Sequence, residues 1–271
     1  MTRTLMQGLL AATILIATPL AASAQGRPQL TPEQQAARLK AQAAEEAEWN
    51  VVKAPEDPKD FSGVYWTRGY DRTYRQLDRS LPPFNDAERK NWQRHLDAEK
   101  AGAPIADAPT QCFPHGVPRL IASPYPIRFV HTPTEIWMLH EVGHNVRVIH
   151  LDKTAPPPNT PLTFLGYTVG HWEGDTLVVE TTRLNDRTRI DEEAISHGTK
   201  LKVTERIKKI KNQFGNTELD DLITIEDPDH FTAPWTARRT FPWRGDIQVT
   251  EYSCEENNRN APGADGVTVA K

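Results

Sequence analysis

The stretch LGYTVGHWEGDTLVVETTRL, residues 165–184, decides how the chain is read. Apolar and polar side chains alternate on both sides of a central Glu-Gly-Asp. That period of two, broken by a turn containing glycine, is the pattern of two strands joined by a hairpin. Trp172, Glu173 and Asp175 fit the turn itself: the carboxylates can accept backbone N–H bonds while the indole packs beside them.

Working outward, the same period recurs. Before this hairpin lie IRFVHT, EIWMLHEV and NVRVIHL; after it come KLKVTERIKKI, TELDDLITIED, WTARRTFPW and IQVTEYSC. Turn signals separate the runs at Gly143, at FGN (214–216) and at RGD (244–246), and an earlier short run, FSGVYW, precedes them all. Strands in such close succession predict a mainly β fold. An antiparallel up-and-down meander of this length leaves no unpaired edge if it closes as a barrel.

One segment competes with that reading. HEVGHNVRVIH (140–150) carries the H-E-x-x-H spacing of zinc proteases, with His140, Glu141, His144 and a third histidine, His150, at metzincin distance. A helix would bring these groups to one metal. The flanking residues are strand formers, however, Arg147 stands where the metzincin chain turns on glycine, and no methionine follows Met138 to form a Met-turn. As a strand, residues 145–151 would hold His144 and His150 about 20 Å apart, too far for one zinc. The segment is therefore predicted to be a hairpin turning near Gly143, with no metal site, and no cofactor is expected.

Toward the N-terminus, residues 1–24 read as a signal peptide: Arg3, an apolar run, and Ala22 and Ala24 before the cleavage point. That run is too short for a membrane span, and no transmembrane segment is expected once it is removed. Residues 25–57 form a helical leader, with Thr31 as N-cap, Pro32 in the first turn and Gln34 completing a capping box. A second helix, about 85–100 and capped by Asn85, is inserted in a barrel domain spanning 58–258. Residues 259–271 read as a disordered tail. The net charge of −4 argues against a nucleic-acid partner. Cys112 and Cys254 would meet an oxidising compartment, either as one disulfide or as two buried thiols.

Several phrases in combination, QCFPHGVPR, GHWEGDTLVVETT, VTER, DPDHFTAPW and EYSCEENN, resemble a widespread family of exported bacterial proteins. The resemblance spans about residues 61–258. It implies export to the periplasm or medium and brings no reaction with it. Asp152, Lys153 and Thr154 depart from the Asp-Gly-Arg usual there. More loosely, FSGVYW is similar to the Gly-x-Trp opening of lipocalins, and the strand-turn-strand around Asp175 to fatty-acid-binding barrels, which implies a calycin-like fold.

Polar residues on an apolar strand face are the informative ones. Glu205 lies among Leu201, Val203 and Ile207; Glu251 continues the face of Ile247 and Val249; Asp221 is in register with Leu219 and Ile223; Arg239 shares a face with Trp235 and Phe241. Either these groups pair with one another through Arg239, or they line a cavity. In the second case Trp235, Phe241, Arg239, Asp221 and Tyr167 would hold a small, partly apolar or aromatic ligand. Alternatively Glu205 and Glu251, with His171 or His197 as proton shuttle, would serve an acid/base enzyme such as an isomerase, lyase or hydrolase.

Overall fold

The computed structural model describes residues 30–67, 71 and 73–254. The signal peptide and the C-terminal tail lie outside the described residues. Two units are distinguished, residues 1–41 and residues 42–271. Helix α1 (Pro32–Glu48) begins with the capping box read from the sequence: Thr31 N–H donates to Gln34 Oε1 (2.9 Å), and Gln34 N–H donates to Thr31 Oγ1 (3.2 Å). In the second unit, α2 (Asp86–Lys100) is capped by Asn85, which accepts a bond from Glu88 N–H at 2.8 Å. No helix among the described residues is long and apolar enough to cross a membrane.

The rest is a single nine-stranded sheet: β1 (Gly63–Tyr65), β2 (Ile127–His131), β3 (Glu135–His140), β4 (Val146–His150), β5 (Tyr167–Glu173), β6 (Thr176–Thr182), β7 (Lys202–Lys211), β8 (Thr217–Glu226) and β9 (Trp235–Pro242). Strand order follows chain order. The first strand returns to the last: Tyr65 bridges to Trp243, Trp66 N–H donates to Pro242 O (3.1 Å) and Arg244 N–H donates to Val64 O (2.8 Å). The sheet is thus a nearly closed barrel. Gly63 makes the closure possible, because a Cβ there would lie 2.1 Å from the Trp243 ring.

Two features differ from an up-and-down antiparallel barrel. Strands β4 and β5 run parallel and pair only at Ile149↔Thr168 and His150↔Val169, whereas every other neighbouring pair is antiparallel. The cause is the Pro-rich connection 152–166, which is long enough to cross back before β5 starts, while hairpin turns force antiparallel neighbours. Second, residues 247–254 form no strand. They run across the β3–β4 turn as an irregular strap, tied down by the Cys112–Cys254 disulfide.

The H-E-x-x-H segment is the predicted hairpin. Register runs from Glu135↔His150 to Leu139↔Val146, and Gly143, at φ 64°, occupies the turn. Its polar residues have other work. Glu141 Oε2 accepts bonds from Thr250 N–H (2.8 Å) and Oγ1 (3.0 Å), and His144 Nε2 accepts from Tyr252 N–H (2.8 Å), so both hold the strap. His150 Nδ1 lies 3.2 Å from Glu135, and His140 points into the buried interior. Among the described residues no three His, Cys, Asp or Glu gather as metal ligands.

Candidate functional site

The inner faces of the strands are apolar at most positions. Ile136, Met138, Ile149, Leu177, Val179, Val203, Ile223 and Trp235 are all buried in one cluster. At one end of that cluster aromatic rings interlock: Tyr65 stands edge-on to Phe129 (5.6 Å) and Trp243 (5.3 Å), and Phe61 to Trp172 (5.3 Å). Side chains therefore fill much of the interior, as in small barrels generally.

Six consecutive strands each place one polar side chain into this interior: Arg147 from β4, Thr168 from β5, Thr181 from β6, Glu205 from β7, Asp221 from β8 and Arg239 from β9. Arg147 reaches over two strands to Glu205. Its Nη1 donates to Glu205 Oε1 (3.0 Å), its Nη2 bonds Glu205 Oε2, and Nη2 also donates to Thr181 Oγ1 (2.7 Å). Thr168 and Thr181 share a hydroxyl bond of 2.9 Å beneath the guanidinium. Both charges are fully enclosed, at 1% and 0% side-chain exposure. A bidentate pair is the geometry in which a buried arginine and carboxylate offset each other's loss of water.

Asp221 stands beside this pair. Burial, reinforced by the Glu205 carboxylate, raises its pKa well above the ordinary range. Its Oδ1 has no hydrogen-bond partner. Arg239, its partner in register, turns away: the guanidinium lies 4.4 Å over the Tyr74 ring, bonds Thr73 O and lies 3.6 Å from Asp71. On the other side of Arg147 is His140. Its Nε2 is buried without a hydrogen-bond partner, and burial together with the Arg147 charge pushes the imidazole down to about 3.

No family model, no curated protein and no solved structure matches this chain.

Of the residues singled out in the sequence, the structure brings Glu205 and Asp221 together and makes Arg147, not Arg239, the cation that holds Glu205. Glu251 is exposed on the strap, since its segment is not a strand and the alternation argument does not apply there. His171 is exposed and lies 3.2 Å from Glu173. It points outward with Tyr167 and Val169, because the inner face of β5 is Thr168, Gly170 and Trp172. His197 is buried outside the sheet with both ring nitrogens engaged, at 3.0 Å from Thr188 Oγ1 and 3.2 Å from Gly198 O, and burial lowers its pKa. Trp235 and Phe241 are buried core residues, with Trp235 edge-on to Phe231 at 5.5 Å. The shuttle histidines thus stand apart from the carboxyl pair.

Among the described residues, strand pairing is reduced to two residue pairs between β4 and β5. Where β4 and β5 part, a recess is lined by residues 146–148 and His150 on one side and by residues 165–168 on the other. Arg147 and Thr168 belong to both the recess and the interior belt. Beside it the rings of His150 and Tyr167 stack at 4.7 Å with 19° between planes. A smaller recess lies at the disulfide, between His115, Asn145 and Tyr252.

Proposed function

We propose that this protein is an exported barrel that binds a small, partly apolar ligand at the parting of β4 and β5. The carrying observation is that recess, which lies where the β4–β5 pairing is interrupted and sets Val146, Val148 and Leu165 over the buried polar side chains of Arg147 and Thr168. Concave sites lined by apolar groups around a few fixed polar ones are what small ligands use. Export is supported by the disulfide, which an oxidising compartment would maintain. Titration of intrinsic tryptophan fluorescence with lipids, phenolics and steroids tests the reading. A saturable shift with at least one of these supports it, and no shift with any of them sinks it.

A second reading, acid/base catalysis, has one observation in its favour: Asp221, its pKa raised by burial and by Glu205, stands beside that second carboxyl, and a pair whose pKa values are pushed apart can serve as acid and base. Against it, both groups are enclosed and Glu205 is locked to Arg147, which is how a structural network looks. Turnover of any substrate that disappears in Asp221→Asn while ligand binding persists would move the balance to this reading.

A further inference from the structure

Outer faces of barrels are ordinarily polar, and the far wall here follows the rule with Lys202, Thr204, Arg206 and Lys208 pointing out of β7. Around the recess the outer face is different. Val130 sits opposite Trp137, Trp137 opposite Val148, and Leu139 opposite Val146, while Val130, Trp137 and Val146 are each about two-fifths exposed. Glu135 organises the rings among them: one carboxylate oxygen accepts from Trp137 Nε1 (2.8 Å) and the other lies 3.2 Å from His150 Nδ1. His150 in turn stacks on Tyr167. One acidic side chain thus fixes the polar ends of two rings, with Trp137 part-exposed and the His150–Tyr167 stack offering one further ring only its outer side.

Charge narrows the occupant. Among the described residues lining the recess, Arg147 is the one arginine, lysine or carboxylate, and Glu205 already neutralises it; both oxygens of Glu135 are also engaged. A charged ligand would lose water here and gain no counter-ion. The antiparallel ladder with β3 bonds alternate residues, and His140 N–H to Asn145 O sets the phase, so the backbone groups of Val146 face the recess; pairing with β5 begins only at Ile149. They are open to a hydroxyl or carbonyl. Three strand residues give the opening a length of about 10 Å, the size of one or two fused rings.

We infer that the recess takes an uncharged planar aromatic molecule bearing a hydroxyl or carbonyl group, its ring extending the His150–Tyr167 stack on the outer face of Tyr167 and its polar substituent on the β4 backbone. This rests on the ligand-binding reading above and names its ligand class.

The test uses 2-naphthol as probe, with 2-naphthoate and 1-decanol as charged and aliphatic comparisons, measured by calorimetry on the purified chain. The expected result is saturable binding of 2-naphthol, with 2-naphthoate and 1-decanol each weaker by about tenfold or more. Tyr167→Ala and the surface change Val148→Lys should each weaken 2-naphthol by a similar factor, and Thr204→Ala on the far wall should not. Amide chemical shifts in the unmutated protein keep the test independent of variant folding: the probe should move residues 146–148 and 165–168 and leave β7 and β8 still. Binding that shifts other amides, or that prefers decanol or naphthoate, overturns the aromatic assignment while leaving the barrel a ligand binder. If none of the wider fluorescence panel binds either, the ligand-binding reading itself has failed.

Discussion

Arg147, Glu205 and Asp221 show how unequal three neighbouring polar residues can be. Removing the charge of Glu205 would strand an enclosed guanidinium, so Glu205→Gln is expected to cost about 3–5 kcal/mol in urea unfolding, and Arg147→Met a similar amount, whereas the joint replacement Arg147→Met with Glu205→Leu should recover part of the loss. Asp221 behaves in the opposite sense. Its folded pKa is raised by burial and by Glu205, so the folded state holds the proton more tightly than the unfolded chain. The associated stability is complete below the ordinary aspartate range and declines as pH rises toward the folded pKa. Asp221→Asn, which keeps a donor toward Glu205 without the titration, should therefore flatten this decline and leave the protein at least as stable as the wild type at pH 7; a steeper alkaline loss in the variant would refute the assignment. Asp191, buried and raised by that burial to about 6, adds a decline of the same sign that should persist in Asp221→Asn. The place of Glu205 and Asp221 was legible from alternation, because each interrupts an apolar face in a strand whose other face is mostly charged or polar. Arg147 was not. Val146, Val148 and His150 make the outer face of β4 look as apolar as the inner one, so alternation does not say which face is buried. The same ambiguity holds in β5, where Tyr167 and His171 lie on the outer face and Tyr167 lines the recess.

At the level of elements, the strap and the seam are the two departures from a regular meander. The strap, 247–254, holds to the β3–β4 turn through Glu141 and His144, through an edge-on contact of Tyr252 with Tyr125 (5.4 Å), and through the disulfide. Reduction of Cys112–Cys254, or Cys254→Ser, should lower stability by about 2–4 kcal/mol and release the strap while the strands persist. The measurement is thermal unfolding with and without dithiothreitol, accompanied by amide exchange at Thr250 and Tyr252; unchanged protection of those amides after reduction would show that the strap does not depend on the bond. Sequence patterns placed both helices and their caps, because capping residues act over three or four positions. Sequence also assigned IQVTEYSC to a strand, since its alternation is genuine, but no edge remains for it once β1 has closed on β9. The parallel pairing of β4 with β5 was equally out of reach. It depends on the path of a Pro-rich connection, which no local pattern encodes.

For the molecule as a whole, closure is a matter of a few residues. Gly63→Ala would drive a methyl group into the Trp243 ring at the point where β1 meets the end of β9, and is expected to cost about 1–3 kcal/mol and to loosen that junction first. Opposite in consequence is the parting of β4 and β5, where strand pairing is interrupted and a recess lies over the buried Arg147 and Thr168. Hydrogen–deuterium exchange resolved to single amides tests that interruption most directly. The amides of Val146 and Leu165 should exchange far faster than those of Val179, Val203 and Ile223 in the paired wall, and should slow when a ligand is bound. Uniform protection around all nine strands would mean that the wall is closed and that the proposed site does not exist.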